Sequence, residues 1–156
     1  MAKNIHFNEF DLETKNALYQ LKCVEPLKKR LPVYDEESIW KFLKNKYLLS
    51  QFIVEPVFIF FITEDNKVKG FSQMDLIIFQ NPKWEIYTLG IIFMANVRKI
   101  AFVMLGSNSS KKEILNYPSS LTKYFKDKLD PFRIEVVDTL VISNEICFSL
   151  KENSLI

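Results

Sequence analysis

Histidine is almost missing from this chain of 156 residues: His6 is the only one. A metal or acid–base centre built on two imidazoles is therefore excluded wherever it would be placed. Cysteine is nearly as scarce. Cys23 and Cys147 lie far apart without CxxC spacing, which argues against a zinc motif and fits two reduced thiols. Three Gly and six Pro are too few for a loop-rich or repeat architecture, and no internal period is found. No apolar run reaches the ~20 residues of a membrane span, since charges or Gly/Asn interrupt each one. The stretch MAKNIHFNEFDLETK is polar and carries no hydrophobic signal region, so the expected place of action is the cytoplasm. Neither sign of charge dominates. The 21 Lys and Arg against 19 Asp and Glu leave +2, too little to argue for nucleic acid.

What is abundant is apolar. Hydrophobic residues make up 48% of the chain, with fourteen Phe, which excludes disorder as a global description and allows one well-buried core. Residues 1–16 are weakly periodic and read as an N-terminal arm; 17–156 read as one domain. ALYQLKCVE (17–25) reads as a strand. Asp35 is a good N-cap, Glu36 and Glu37 suit the positive end of a helix, and Ile39, Phe42, Leu43 and Tyr47 recur at helical spacing, so 36–48 is expected to be a helix with Trp40 at the stripe's edge. PVFIFFITEDNKVKGFSQMDLIIF (56–79) reads as a hairpin turning at Glu-Asp-Asn-Lys. KWEIYTLGIIFMANV (83–97) is apolar nearly all round and reads as a helix buried in the middle of the domain. KIAFVML (99–105) is a buried strand. An amphipathic helix is expected from Ser119, its N-cap, to Leu129, with Leu121, Tyr124, Phe125 and Leu129 inward. Asp130-Pro131 stops it. A second hairpin, 133–142 with 145–152, turns at Ser143-Asn144. The order β-α-ββ-α-β-α-ββ describes an α/β domain: a mixed β-sheet with packed helices.

Several strings in that order resemble the RadC-like branch of the JAB/JAMM metalloproteases. EPVFIFFITEDNKVK is similar to the family's Glu-x-Phe strand and the turn in which Asn precedes a basic residue. WEIYTLGIIFMAN is similar to its buried helix, and YQLKCVEPLKKRLPVYDEESIWKFLKNK to its opening strand and first helix. IEVVDTLVISNEICFSLKENSLI is similar to its ending, Leu-Asp-His-Ile-Ile-Ile, a short turn, then Tyr-Phe-Ser-Phe-x-Glu-x-Gly-Leu. The resemblance covers residues 17 to 156 and implies JAB/JAMM-like, cytidine-deaminase-like layering.

The family holds zinc with His-x-His at a strand end and with the Asp of Ser-x-x-Asp on the next helix, and an upstream Glu serves as general base. Neutral imidazoles and a carboxylate suit borderline-soft zinc, and the Glu takes a proton from the bound water. Carried onto this sequence, Glu55 matches the upstream Glu and Ser119 the Ser. Thr122 stands at the Asp ligand and Thr139 at a later His, after Asp138. The His pair falls on Met104 and Gly106, or on Leu105 and Ser107. The intervening loop, Ser107 to Ser119, is about four residues longer than the family's. Hydroxyls are poor zinc ligands at neutral pH, and Met and Leu offer nothing better. The resemblance thus implies a pseudo-metalloprotease with no catalytic residues, no metal and no cofactor, in which Glu55, Ser119 and Thr122 are vestiges.

Each leftover has a plain reading beside the functional one. Glu55 suits a strand entrance, and Ser119 a helix cap. Asp75 and Asp138, flanked by apolar residues, read as buried hydrogen-bonded carboxylates, or else as a two-carboxylate hydrolytic pair. Cys147 falls on a strand beside the relic site. Lys111, Lys112, Lys123 and Lys126 read as a solvated face or, with Tyr117, as a contact surface along the 106–117 loop and the helix after it. The function these readings imply is binding without catalysis. The Lys/Asn/Ile/Phe-rich composition suggests a phage or other mobile element, and the partner is a host protein or ribonucleoprotein. One version is an anti-CRISPR-type inhibitor of a defence nuclease with its guide RNA, with direct RNA or DNA contact left open and no membrane partner. Two other classes stand beside it: a nucleic-acid-binding accessory of DNA repair or recombination, and a residual hydrolase using Glu55, Asp138 and Thr122.

Overall fold

Six β-branched or aromatic residues, VFIFFI (57–62), build the middle of the sheet, where both faces are covered and no polar side chain is needed. The computed structural model describes residues 25–26, 34–46, 56–75, 83–105, 111–143 and 145–156. In chain order they form β1 (Glu25–Pro26), α1 (Glu36–Lys46), β2 (Pro56–Ile62), β3 (Val68–Asp75), α2 (Trp84–Ala95), β4 (Lys99–Leu105), α3 (Lys111–Leu129), β5 (Glu135–Ile142) and β6 (Cys147–Ser149). The strands make one sheet in the order β1-β3-β2-β4-β5-β6. β4 and β5 are parallel and every other pair is antiparallel, so the sheet is mixed and the molecule is a single α/β domain. The expected strand at 17–24, the arm, Tyr47 and the continuation of the first hairpin past Asp75 lie outside the described residues.

The two hairpins turn where their sequences demand it. Thr63 N–H donates to Lys67 O and Asn66 N–H to Thr63 O, with Asn66 at φ 60°, a left-handed position that Asn tolerates. After β5 the Ser143 N–H donates to Ile146 O, closing the second turn. Asp35 caps α1 as its sequence predicts: its carboxylate accepts from Ser38 N–H at 2.8 Å and Ser38 Oγ at 2.6 Å.

Alternation along the strands divides the core in two. Val57, Ile59, Phe61, Ile100, Phe102 and Met104 face α2 and α3, while Phe58, Phe60, Ala101, Val103, Leu140 and Ile142 face α1. Ile39 and Leu43 of α1 are fully buried, each contributing roughly 1.5–3 kcal/mol by area. α3 sets Leu121, Phe125 and Leu129 inward and Tyr124 half inward, as the sequence spacing requires.

Two expectations need correction. α2 is not buried all round: Tyr87, Thr88, Ile91, Ile92 and Ala95 face the sheet, while Ile86, Phe93 and Met94 are 53%, 39% and 37% exposed. A helix laid on one face of a sheet buries only the side toward it, so the outward apolar residues stay at the surface. α3 begins at Lys111, not at Ser119. Pro118 is buried inside the helix, so Ser119 is not a cap, and much of the expected loop is helix. Pro118 has no N–H to give the preceding turn, which is why the sequence invited the other reading.

Candidate functional site

β4 and β5 run parallel, side by side, and α3 is the crossover between them. The strand ends and the helix therefore converge where α/β folds usually hold chemistry. Met104 faces α2 and α3 with the core of that side, whereas Leu105 packs in the opposite cluster. Of the positions the resemblance gives to the histidine pair, Met104 is thus on the α3 side and Leu105 on the other, while Gly106 and Ser107 lie outside the described residues.

A β-bulge decides what β5 contributes. Ile100 pairs with Val136, but Ala101 pairs with Asp138, leaving Val137 as an extra residue. Val136 faces α2 and α3, and after the bulge Leu140 and Ile142 face α1. Asp138 falls in phase with them, so it points to the α1 side and Thr139 to the α3 side.

Thr139 meets Thr122 of α3 there, their Oγ1 atoms 2.5 Å apart, and both residues are wholly buried. Thr122 Oγ1 also lies 2.6 Å from Pro118 O, to which it can donate while accepting from Thr139. The two positions that the resemblance gives to a carboxylate and an imidazole are thus brought together, and their side chains satisfy one another. Two hydroxyls and a carbonyl engaged in this way do not fit zinc, which needs deprotonated sulfur, imidazole or carboxylate donors. Ser119 is half-buried one residue after Pro118. Glu55 lies outside the described residues.

On the other face, Asp138 is a hub that sequence reading flagged as odd without locating its partners. It is 2% exposed and accepts from Ser149 Oγ at 2.6 Å, Thr139 N–H at 2.7 Å and Lys151 N–H at 3.0 Å. Ser149 Oγ in turn accepts from Glu152 N–H, so the turn after β6 folds around these two side chains. Three donors on one buried carboxylate compensate its desolvation. Asp75 is not its partner: β2 and β4 separate their strands, three spacings or about 14 Å. The two-carboxylate pair is not assembled.

Cys147 lies on β6 beside β5, as expected, with Sγ 4.0 Å from Glu36 O. Burial, then Glu36 and Asp138, push its thiol up to about 12, so it is a poor nucleophile at neutral pH. Tyr34, also near Asp138 and Glu36, has its ionisation pushed far upward by burial first and Asp138 second. Tyr34, Glu36, Ser149 and Glu152 were missed as a group because they meet only through the bulge and the final turn.

The expected basic contact residues all lie on α3. Lys111 and Lys112 open the helix. Tyr117, Lys123 and Lys126 are exposed. They do not form one stripe. At 3.6 residues per turn Tyr117 shares its flank with Tyr124 and Lys128, while Lys123 and Lys126 lie on the other. Tyr124 is tied down: Lys128 sits over its ring and bridges to Glu85 at 3.3 Å. Lys126 lines an open groove of about 480 Å³ with Asp130, Arg133, Ile134, Glu135 and Val136, in which charges of both signs alternate.

No protein-family model matches the chain, and no curated protein matches it. Among the described residues no helix is long and apolar enough to cross a membrane.

Proposed function

We propose that the chain is a non-catalytic RadC-like domain with JAB/JAMM-like layering, which acts by binding a host protein or ribonucleoprotein. The observation that carries this reading is the Thr122–Thr139 hydrogen bond. Hydroxyls that complete each other's bonding stand where the resemblance calls for ligands, so the position contributes packing and leaves function to the surface. The outer side of α3, with Lys123 and Lys126 exposed and Lys111 and Lys112 at its start, is the contact face. It would meet an acidic protein surface or a phosphate backbone, and an anti-CRISPR-type inhibitor acting by occlusion is one form of such binding.

The test is affinity capture from the native host, with and without nuclease treatment. A protein partner that persists after nuclease and is lost with Lys123→Glu and Lys126→Glu together supports the proposal. Recovery of nucleic acid alone, with salt-dependent binding and no protein, replaces it with the repair-accessory reading.

A further inference from the structure

The side of α2 turned away from the sheet is apolar and open. Ile86 and Met94 stand four residues before and four residues after Gly90, so the three share one line along the helix, with Phe93 beside it. Phe93 meets Phe132, which follows α3, edge to face at 4.9 Å. An aromatic side chain covers about 200 Å². The exposed parts of Phe93 and Phe132, 39% and 55%, therefore add up to roughly one whole side chain. Ile86 and Met94 enlarge the patch to roughly 350 Å², within the ~300–600 Å² of the largest patch on a typical monomer. Gly90 is half-buried at its centre. Inside a helix Gly costs about 1 kcal/mol against Ala, and on the outward side it does not serve packing on the sheet. There it leaves bare backbone that a second helix can approach closely.

We propose that this face joins two copies of the chain, α2 packed antiparallel on α2 of the second copy about a twofold axis through Gly90. Such an axis brings the same patch of both copies together and requires it to complement itself. The equal spacing of Ile86 and Met94 about Gly90 meets that requirement: Ile86 of each copy lies against Phe93 and Met94 of the other. Residues 86 to 94 carry no charge, so the pairing sets no like charges opposite each other and the face offers none to select a charged partner. Two patches bury roughly 700 Å² of apolar surface. At the ~60% apolar share of an interface, that corresponds to about 1,200 Å² in total, the lower limit for a specific contact. The dimer is therefore weak and reversible.

Sedimentation velocity of the full chain over a rising concentration series tests the dimer. The average mass climbs from that of the monomer toward twice that value. Ile86→Glu and Met94→Lys, both at exposed positions, each weaken the association by about tenfold or more. Gly90→Gln raises Tm, because Gln is the better helix former, and still weakens the association by filling the point of closest approach. Lys123→Glu, on the flank of α3 away from α2, leaves it unchanged. A chain that stays monomeric throughout the series overturns the proposal, as does a dimer that Ile86→Glu, Met94→Lys and Gly90→Gln all retain.

Discussion

Thr122 of α3 and Thr139 of β5 place their hydroxyl oxygens 2.5 Å apart in a wholly buried contact, and Thr122 also engages the Pro118 carbonyl. The bond joins the crossover helix to the strand it leads into. Removing the Thr122 hydroxyl strands that of Thr139, whereas removing both leaves two methyl-bearing side chains of similar shape.

Thr122→Val, which leaves the Thr139 hydroxyl without its partner, is expected to cost about 1–3 kcal/mol, and Thr139→Val less, because Thr122 keeps its donation to Pro118 O. The double variant costs less than the sum of the two. Urea unfolding of all four forms measures the coupling. Strictly additive losses would mean that the hydroxyls do not interact.

Pro118 tests where α3 begins. Inside a helix Pro removes a backbone bond and crowds the preceding turn, at a cost of about 3 kcal/mol, whereas near a helix start it is welcome. Pro118→Ala should therefore raise both helical content and Tm. A drop in Tm, read by circular dichroism, would restore the start at Ser119 that the sequence suggests.

Asp35 and Glu36 pull the pH dependence in opposite directions. The Ser38 hydrogen bonds, side chain first, hold Asp35 below its ordinary 3.8, so its contribution is present above that value and is lost as pH falls through the depressed one. Burial raises Glu36 above 4.5, so its contribution is complete at low pH and is lost as pH rises through the raised value. Asp35→Asn should flatten the acid side of the stability profile and Glu36→Gln the side above 4.5. Thermal melts across that range decide it, and parallel profiles in all three forms would contradict the assignment.

The element order, both hairpins, the α1 cap and the buried strand β4 were legible because each rests on local pattern: the unbroken apolar run in KIAFVML, Asn66 in a turn, Asp35 before Glu36 and Glu37. Three features were not. The bulge at Val137 leaves no mark in VVDTLV, yet it sends Asp138 and Thr139 to their respective faces. Pro118 signalled a helix start because its missing N–H is equally suited to that position, and tertiary packing against β5 overrode it. The apolar ring of α2 implied burial on every side, but a helix on one face of a sheet has only one side to bury. Of the candidate site, sequence placed Thr122 and Thr139 by resemblance alone, and only the fold shows them touching.

Under the proposed RadC-like reading, the Thr122–Thr139 pair stands where the resemblance calls for metal ligands. Zinc titration by calorimetry, on the untagged chain beside a folded variant carrying Met104→His, Gly106→His and Thr122→Asp, tests it most directly. One equivalent of zinc is expected to bind the variant and none the unmodified chain. One equivalent bound by the unmodified chain, or none by the folded variant, would contradict it.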